Sequence, residues 1–232
     1  MNKGAIRLYR KLKEKGYSPK NICEVGVYLP EESNVISFIK EGVSTSLIEA
    51  DPEYVRKIEY FFSEYPNVKV IETAIFDFNG TIELCKREAS TFVSVLEKSP
   101  AIVNDNCKKE DSSKITVNCV MFSEIDRGDF DLVSIDIEGA EWYVIKHMIS
   151  QPNILSIETH GKYYTNPNIK QIMDWAKKNN YVEWYKDDSD TIFVKKGTFF
   201  ISTFEKLQLI IKKAQIALIK MLKPIKQLFK KK

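Results

Sequence analysis

Acidic residues, joined by one histidine, follow four short β-rich runs of the sequence. In chain order these residues are Glu24, Glu49, Asp136 with Glu138, and Glu158 with His160. Ligands of an open α/β sheet bind at the carboxyl ends of its strands, where such residues would meet. A helix cap or a solvated turn explains any one of these acids alone, but four runs that end in the same way predict one shared acidic site.

The first two runs have the spacing of a nucleoside site. Gly26 follows Glu24 by two residues and lets the backbone approach a ligand, while Glu49 can accept hydrogen bonds from both ribose hydroxyls. The loop after Gly26 lacks the G-x-G-x-x-G pattern that binds a pyrophosphate, and its acids would repel phosphate. The sequence therefore disfavours a dinucleotide and favours a positively charged nucleoside such as S-adenosylmethionine.

His160 is the candidate general base for transfer of a methyl group to a hydroxyl. Removal of the hydroxyl proton by a positioned base contributes typically about 10²–10⁴-fold to the rate of such a reaction. Glu158 lies two residues earlier, on the same side of an extended chain, and is a second candidate catalytic residue. An acidic neighbourhood would raise the pKa of the histidine. The alternative is a loop histidine with only a structural role.

The remaining acids near these runs have several candidate roles. Asp136 and Glu138 share one side of their strand, where they could position the acceptor or hold the amino group of the donor. Together with the acid and the histidine of the next run they could also bind Mg²⁺ or Mn²⁺, although we predict no metal. Asp77 could reach an adenine amino group or cap a turn, and Glu141 is interpreted as a partner of a helix N-terminus.

Strands and helices alternate along the chain and can bring these residues together. Strands are predicted at residues 22–27, 46–50, 68–75, 81–86, 115–120, 131–137, 154–159, 181–186 and 191–195. Helices are predicted at residues 5–15, 31–41, 52–64, 140–150 and 168–179, and a helix with a loop at residues 89–113. This order predicts an α/β fold with a mostly parallel sheet, helices on both faces and a closing antiparallel hairpin.

The segment from Asp131 to Glu141 carries a more specific pattern. Its letters I-D-I-E-G-A-E, with Ala74-Ile75, Asn79-Gly80 and residues 157–160 in the same order, resemble the FkbM-type S-adenosylmethionine-dependent methyltransferases. The resemblance covers about residues 20–195. It implies a class I Rossmann-like methyltransferase fold with a seven-stranded sheet, S-adenosylmethionine as cofactor and a hydroxyl as the methyl acceptor.

The resemblance also bears on the acceptor and on the first loop. It favours a hydroxyl of a saccharide in a surface polysaccharide or glycolipid, while a non-catalytic scaffold that keeps the fold is the alternative. The first loop of the family usually reads D-x-G-A-N-x-G, and here Tyr28 stands in place of the Asn and Pro30 in place of the second Gly. We place the methyltransferase domain at residues 1–198, with a leading helix in residues 1–20.

Residues 199–232 form a basic amphipathic segment that we predict to be a C-terminal helix. From residue 201 onward it has nine lysines and one acid, Glu205, so that it carries a charge of +8 and leaves −5 for the rest of a chain whose net charge is +3. Apolar residues recur every three or four positions on the side opposite the lysines. We predict that residues 200–232 bind an anionic membrane surface. Packing on the body or on a second copy is the alternative.

Composition narrows the setting of the protein. A mildly acidic body disfavours nucleic acid as a partner. Four widely spaced cysteines without a C-x-x-C pair are typical of reduced cytosolic thiols, and the first twenty residues have no apolar run of the kind found in a secretory signal. The longest uncharged stretch of the C-terminal segment has six residues and cannot span a bilayer. We predict a cytoplasmic protein that can attach to the inner face of the membrane. Whether it forms a homo-oligomer is left open.

Overall fold

The structure is a computed structural model that describes residues 3–86, 92–94 and 113–229. The strands of the main sheet are β1 (Asn21–Val25), β2 (Ser44–Glu49), β3 (Val68–Glu72), β8 (Leu132–Ile135), β9 (Ile154–Glu158), β10 (Tyr181–Lys186) and β11 (Asp190–Lys195). A second sheet contains β4 (Ala74–Ile75), β5 (Gly80–Lys86), β6 (Phe92–Val93) and β7 (Ser113–Val120). The α-helices are α1 (Lys3–Glu14), α2 (Ile36–Lys40), α3 (Pro52–Phe61), α4 (Glu141–Lys146), α5 (Ile169–Lys178) and α6 (Thr203–Phe229). The helix and loop predicted for residues 89–113 fall largely outside the described residues.

The main sheet has the strand order β10–β11–β9–β8–β1–β2–β3. Strand β11 runs antiparallel to both of its neighbours, and all other neighbouring pairs are parallel. The predicted class I architecture, with a seven-stranded, mostly parallel sheet and a closing hairpin, is confirmed. The hairpin was expected to place its antiparallel strand at the edge of the sheet. Instead β11, the antiparallel strand, lies one position inside the sheet, and β10 forms the edge.

Both faces of the main sheet are covered by helices. Alternate residues of each strand therefore pack in different cores. Ile22 and Leu132 pack in one core with α1, α2 and α3, whereas Cys23 and Val133 pack in the other with α4 and α5. All four side chains are fully buried. Burial on both sides explains why these strands read as continuous apolar runs in the sequence.

The second sheet was not predicted from the sequence. A single strand was expected over residues 68–75, but the chain leaves the main sheet after β3, and β4 pairs with β7 instead. Leu84, Val93 and Val117 of this sheet form a third apolar core with Ala140, near the end of β8. The second sheet therefore covers the carboxyl ends of the main strands.

Helix α6 lies against the edge strand β10. Its first turn is fixed by Glu205, whose carboxylate accepts hydrogen bonds from Lys15, from the Trp184 indole N–H and from Ser202. In the part of the chain that the structure describes, no helix combines the length and the apolar content that crossing a membrane would require.

Candidate active site

A cavity opens at the carboxyl ends of β1, β2 and β8. Residues 24–28, 48–50 and 136–138 form its walls, and the second sheet contributes Leu84 and Val93. Open α/β sheets bind ligands at this edge. Of the residues predicted from the sequence, those that line the cavity are Glu24, Gly26, Glu49, Asp136 and Glu138. Leu84 lies in a strand that was predicted, at residues 81–86, but its place at the cavity was missed because the second sheet was not foreseen.

Glu24 is buried at the end of β1 and holds the loop that follows. Its carboxyl group accepts hydrogen bonds from the Ser33 hydroxyl and from the backbone N–H of Asn34, both at 2.6 Å. Burial raises the pKa of Glu24 to about 8, although these two hydrogen bonds act in the opposite direction. At neutral pH the group is mostly uncharged, so that it positions the loop and adds little negative charge to the cavity.

Gly26 allows β1 and β8 to approach each other at the cavity. Its φ is 84°, and a Cβ atom at this position would lie 1.8 Å from the backbone oxygen of Asp136. The sequence analysis attributed this glycine to the approach of a ligand, but the first requirement comes from the neighbouring strand. Any side chain here would push apart two segments that line the cavity.

Tyr28, which stands where the family pattern usually has Asn, adopts a backbone conformation that Asn favours. Its φ of 56° lies in the left-handed region, where Asn is favoured and a residue with a larger side chain is strained by roughly 1–2 kcal/mol. The Tyr28 ring packs edge-on against Tyr54, with ring centroids 4.5 Å apart. Pro30 begins a short 3₁₀ turn, Pro30–Glu32, for which its fixed φ is suited.

The carboxylate of Glu49 binds backbone N–H groups at the ends of two strands. One oxygen accepts from Val27 and Tyr28, and the other accepts from Ala50 and Asp51, at 2.8 to 3.1 Å. A carboxylate has about four acceptor positions, so that these bonds use all of them. Contact with ribose hydroxyls would have to replace some of these bonds, and it stays a prediction.

The lining of the cavity suits the two chemical parts of S-adenosylmethionine. Asp136 and Glu138 bring carboxyl groups to the cavity, which suit a sulfonium or an ammonium group. Ile48, Ile75 and Leu84 offer apolar side chains on which a purine ring can lie. The residues that are present therefore fit this cofactor.

Three carboxyl groups meet beside the cavity, at the ends of β8 and β9 and at the start of α4. Oxygen atoms of Asp136, Glu141 and Glu158 all lie within 4.8 Å of one another. The backbone N–H groups of Ile137 and Gly139 donate to Glu141, which also accepts from the Asn166 side chain.

The sequence analysis missed this position of Glu141, because it interpreted the residue as a partner of the helix N-terminus. Glu141 is fully buried. Its place at the end of the I-D-I-E-G-A-E segment was the signal that could have linked it to Asp136.

These three groups cannot all be charged at neutral pH. Burial raises the pKa of Asp136 to about 7, and the charge of Glu141 adds to the effect. Burial also raises the pKa of Glu141 to about 7, although several hydrogen bonds oppose it. The pKa of Glu158 lies well above its usual value because of burial and then of the charge on Asp136. Such a cluster shares protons among its members.

Two polar atoms, one in this cluster and one next to it, have no hydrogen-bond partner among the described residues. They are the Tyr164 hydroxyl and one oxygen of Glu158, and both side chains are buried. Burial, and then the charges of Glu141 and Glu158, raise the pKa of Tyr164 far above its usual range, so that the phenol stays protonated. Buried polar groups normally have partners, and these two atoms mark a position that a polar group of a ligand can fill.

His160 has a different environment from the one that the sequence predicted. Burial, then the charge of Lys186 and those of Lys220 and Lys212, lower its pKa to about 4, although a hydrogen bond with the backbone of Asp187 opposes them. The expectation of an acidic neighbourhood that raises this pKa is wrong, because the nearby charges that shift it are those of lysines. His160 lies outside the lining of the cavity, and its Nδ1 atom is 3.0 Å from the Thr159 hydroxyl.

Asp77 also lies outside the lining of the cavity. Its carboxylate contacts the Lys146 ammonium and the Nε2 atom of His147, both at 2.7 Å. The hydrogen bond from Lys146, followed by that of His147, holds the pKa of Asp77 below its usual value. This geometry gives no support to the predicted contact with adenine.

The divalent cation that the sequence analysis weighed would have used Asp136, Glu138, Glu158 and His160. Within the described ranges, the carboxylates close enough to share an ion include Glu141 in place of Glu138 and His160. Three N–H groups already donate to Glu141, and the raised pKa values mean that protons compete with a cation. These residues therefore suit a shared proton better than a metal ion.

The fold and this cavity together define a class I methyltransferase. The methyltransferase FkbM domain family matches residues 24–183, a range that includes every residue lining the cavity. The chain belongs to this family, and it is a methyltransferase that uses S-adenosylmethionine as its cofactor.

The chain is similar to several solved structures at low identity. A putative caffeoyl-CoA O-methyltransferase from Staphylococcus aureus is 13% identical, with 82% of each chain covered and a TM-score of 0.47. An O-methyltransferase from Bacillus cereus in complex with SAH is 12% identical over 82% of this chain and 80% of the other, with a TM-score of 0.45. The N-terminal domain of EvdMO1 with SAH bound is 13% identical over 84% of this chain and 81% of the other, with the same score. No curated protein matches the chain.

Proposed function

We propose that this methyltransferase transfers the methyl group to a hydroxyl, and that the hydroxyl belongs to a saccharide of a surface polysaccharide or glycolipid. The main support is the buried carboxyl cluster beside the cavity, because a hydroxyl acceptor must lose its proton during the reaction. The saccharide is inferred from the FkbM family to which the chain belongs.

S-adenosylmethionine, when bound, supplies a methyl group attached to a positively charged sulfur. The protein must then place the acceptor oxygen in line with that methyl group and take up the proton of the hydroxyl. Asp136 and Glu138 line the cavity and are proposed to orient the donor and the acceptor. Glu24 and Glu49 act on the loops that shape the cavity, through their hydrogen bonds to Ser33 and to backbone N–H groups.

The carboxyl pair of Asp136 and Glu158 is a better candidate base than His160. A general base works best when its pKa lies near the working pH, and burial brings that of Asp136 to about 7. His160, with a pKa of about 4, is neutral at pH 7 but accepts a proton weakly. We therefore propose that the Asp136–Glu158 pair accepts the proton of the hydroxyl, and we keep His160 as the rival base.

The surroundings predicted from the sequence stay predictions. A cytoplasmic location and peripheral attachment to an anionic membrane through residues 200–232 were inferred from the cysteines and the lysines. The division into a domain of residues 1–198 and a separate basic helix is likewise a proposal, supported by the single continuous helix from Thr203 to Phe229.

Calorimetric titration with S-adenosylmethionine tests the cavity. Asp136→Asn replaces a carboxyl group of the lining, which loses its proton near pH 7, by an amide of the same shape. At pH 8 we expect affinity for the cofactor to fall about tenfold. Asp174→Asn is the matched control, since this exposed acid pairs with Lys170 on α5, away from the cavity. Equal affinity of both variants and the wild type would place the cofactor elsewhere.

An acceptor panel tests the substrate. The enzyme is incubated with methyl-labelled cofactor and with saccharide, phenolic and amine acceptors, and the products are identified by mass spectrometry. We expect a methyl ether on a saccharide hydroxyl. Transfer only to amines or to phenols would contradict the proposed acceptor while leaving the cofactor site intact.

A further inference from the structure

The apolar side of α6 faces away from the body of the protein. Six large side chains of this helix are between 49 and 72% exposed, although they are aliphatic or aromatic. We call this surface the outer face and define it by Phe204, Leu207, Ile211, Ala214, Leu218 and Met221. Monomeric proteins rarely leave a continuous apolar strip of this kind in water, so that the outer face indicates a contact with another molecule.

The opposite side of the helix makes the contact with the body. The partly buried positions recur at intervals of three and four residues, as one helix face does, and they are Glu205, Leu209, Lys212, Ile216 and Lys220. The side that carries Leu209, Lys212 and Ile216 therefore packs on the protein, and the outer face does not. An amphipathic helix that only completed its own domain would be turned the other way round.

The spacing of the outer face follows a heptad. Phe204, Ile211 and Leu218 are seven residues apart, and Leu207, Ala214 and Met221 form a second set three residues after the first. The sequence continues both sets with Ile225 and Leu228. A 3.5-residue repeat is the pattern with which one helix packs along another helix, and it is not required for binding to lipid.

The outer face carries no charged residue, which favours a protein partner over an anionic surface. Two of the nine lysines of this segment pair with acids of the body, since Lys212 lies 3.3 Å from Asp188 and Lys213 lies 2.6 Å from Glu183. An in-plane membrane helix presents lysines beside its apolar face, where they reach the headgroups. The centre of a protein interface, by contrast, is depleted of charge.

We propose that a second copy of this chain covers the outer face, with the α6 helices of two protomers packed against each other along the heptad positions. A two-fold arrangement brings the same face of each copy together, and an apolar strip without charges is complementary to itself. This proposal differs from the membrane attachment predicted from the sequence, and it does not depend on which acceptor is methylated.

Sedimentation equilibrium of the full chain tests the proposal at concentrations up to about 100 µM. We expect the wild type to have the mass of two chains. Ile211→Gln combined with Leu218→Gln should weaken association at least about a hundredfold, because each copy loses two buried aliphatic side chains. The matched control combines Tyr60→Gln with Ile149→Gln, two apolar residues that are also exposed but lie elsewhere, and it should keep the mass of two chains.

Two further measurements decide between the possible occupants. Circular dichroism should show equal helix content in both double variants, since the substituted side chains lie in water within one chain. A wild type with the mass of one chain would overturn the proposal, and so would an Ile211/Leu218 variant that keeps the mass of two chains. Sedimentation of a monomeric wild type with phosphatidylserine vesicles, lost in the same variant, would assign the outer face to lipid and also overturn it.

Discussion

The carboxyl cluster at the strand ends and the outer face of α6 both depart from the usual distribution of polar and apolar groups, in opposite directions. Asp136, Glu141 and Glu158 place three acids in or beside the protein interior. The outer face places a strip of hydrocarbon in water. A buried polar group or an exposed apolar patch is more informative than an exposed polar residue or a buried apolar one, because folding alone favours neither.

The two regions differ in what stabilises their unfavourable groups. The buried acids find it inside the chain, since Glu141 accepts three N–H groups and protons neutralise the cluster. The outer face has no such compensation within the described residues, and only another molecule can remove it from water. The first region therefore indicates chemistry within one chain, and the second indicates assembly.

Glu158→Gln should have the largest effect on the first region. If the Asp136–Glu158 pair takes the acceptor proton, we expect kcat to fall by about 10²–10⁴-fold, with affinity for the cofactor nearly unchanged. In the wild type kcat should increase with pH through about 7, where Asp136 loses its proton, and the variant, which keeps Asp136, should show a much lower rate that still depends on pH. The measurement is the pH profile of methyl transfer.

His160→Asn is the comparison for this prediction. We expect a loss of less than about tenfold, because a group with a pKa near 4 is a weak base at pH 7. A large loss in His160→Asn together with a small one in Glu158→Gln would restore the histidine as the base, as the sequence analysis proposed.

The sequence could predict which residues approach the cavity, because hydrophobic patterning locates the buried strands. Buried parallel strands read as apolar runs, and the residue after each run must then lie at one edge of the sheet. Three of the four runs confirm this, since their acids and Gly26 line one cavity. The fourth run does not, because Glu158 lies beside the cavity in the carboxyl cluster and His160 lies outside the lining.

What each group does there could not be predicted, since it depends on neighbours that are distant in sequence. The pKa of His160 is lowered by burial and by Lys186, Lys220 and Lys212, which belong to β10 and α6. The sequence also could not predict which side of α6 contacts the body. Its helical periodicity was evident, but Asp188 and Glu183, which bind its lysines, lie 24 and 30 residues away.

Glu24→Gln should show how strongly the buried acids couple folding to pH. An acid whose pKa is raised in the folded state makes stability fall as pH rises from about 4.5 to about 8, because the unfolded chain loses its proton first. The amide resembles the protonated acid and removes this dependence. Relative to the wild type, the variant should gain about 1 kcal/mol per pH unit between about pH 5 and 7.5.

Urea unfolding at several pH values measures this gain. Glu31→Gln, an exposed acid in the same loop, is the control and should leave the difference from the wild type constant with pH. A constant difference for Glu24→Gln would mean that Glu24 is charged in the folded protein, and the proposed contrast between the two regions would weaken.

Glu205→Gln tests the acid at the start of α6 and should have a smaller effect of opposite sign. Burial favours the neutral form, but the hydrogen bonds from Lys15, Ser202 and Trp184 outweigh it and lower the pKa of Glu205 to about 2. Its contribution to stability is therefore present above about pH 4.5 and is lost as pH falls towards 2. We expect the variant to lose about 2 kcal/mol at pH 7 and progressively less below pH 4.5.

The indole of Trp184 reports on this region directly, because its N–H donates to Glu205 at 2.8 Å. Loss of the charge should change tryptophan fluorescence at the base of α6 and increase hydrogen exchange in its first turns, while Lys206→Gln, on the exposed side of the same turn, should do neither. If Glu205→Gln and Glu24→Gln shift stability with pH in the same direction, these two acids do not differ in their charge. Opposite slopes would mean that Glu24 is held as a neutral group at the cavity, and that Glu205 is held as an ion whose hydrogen bonds fix the first turn of α6 to the body.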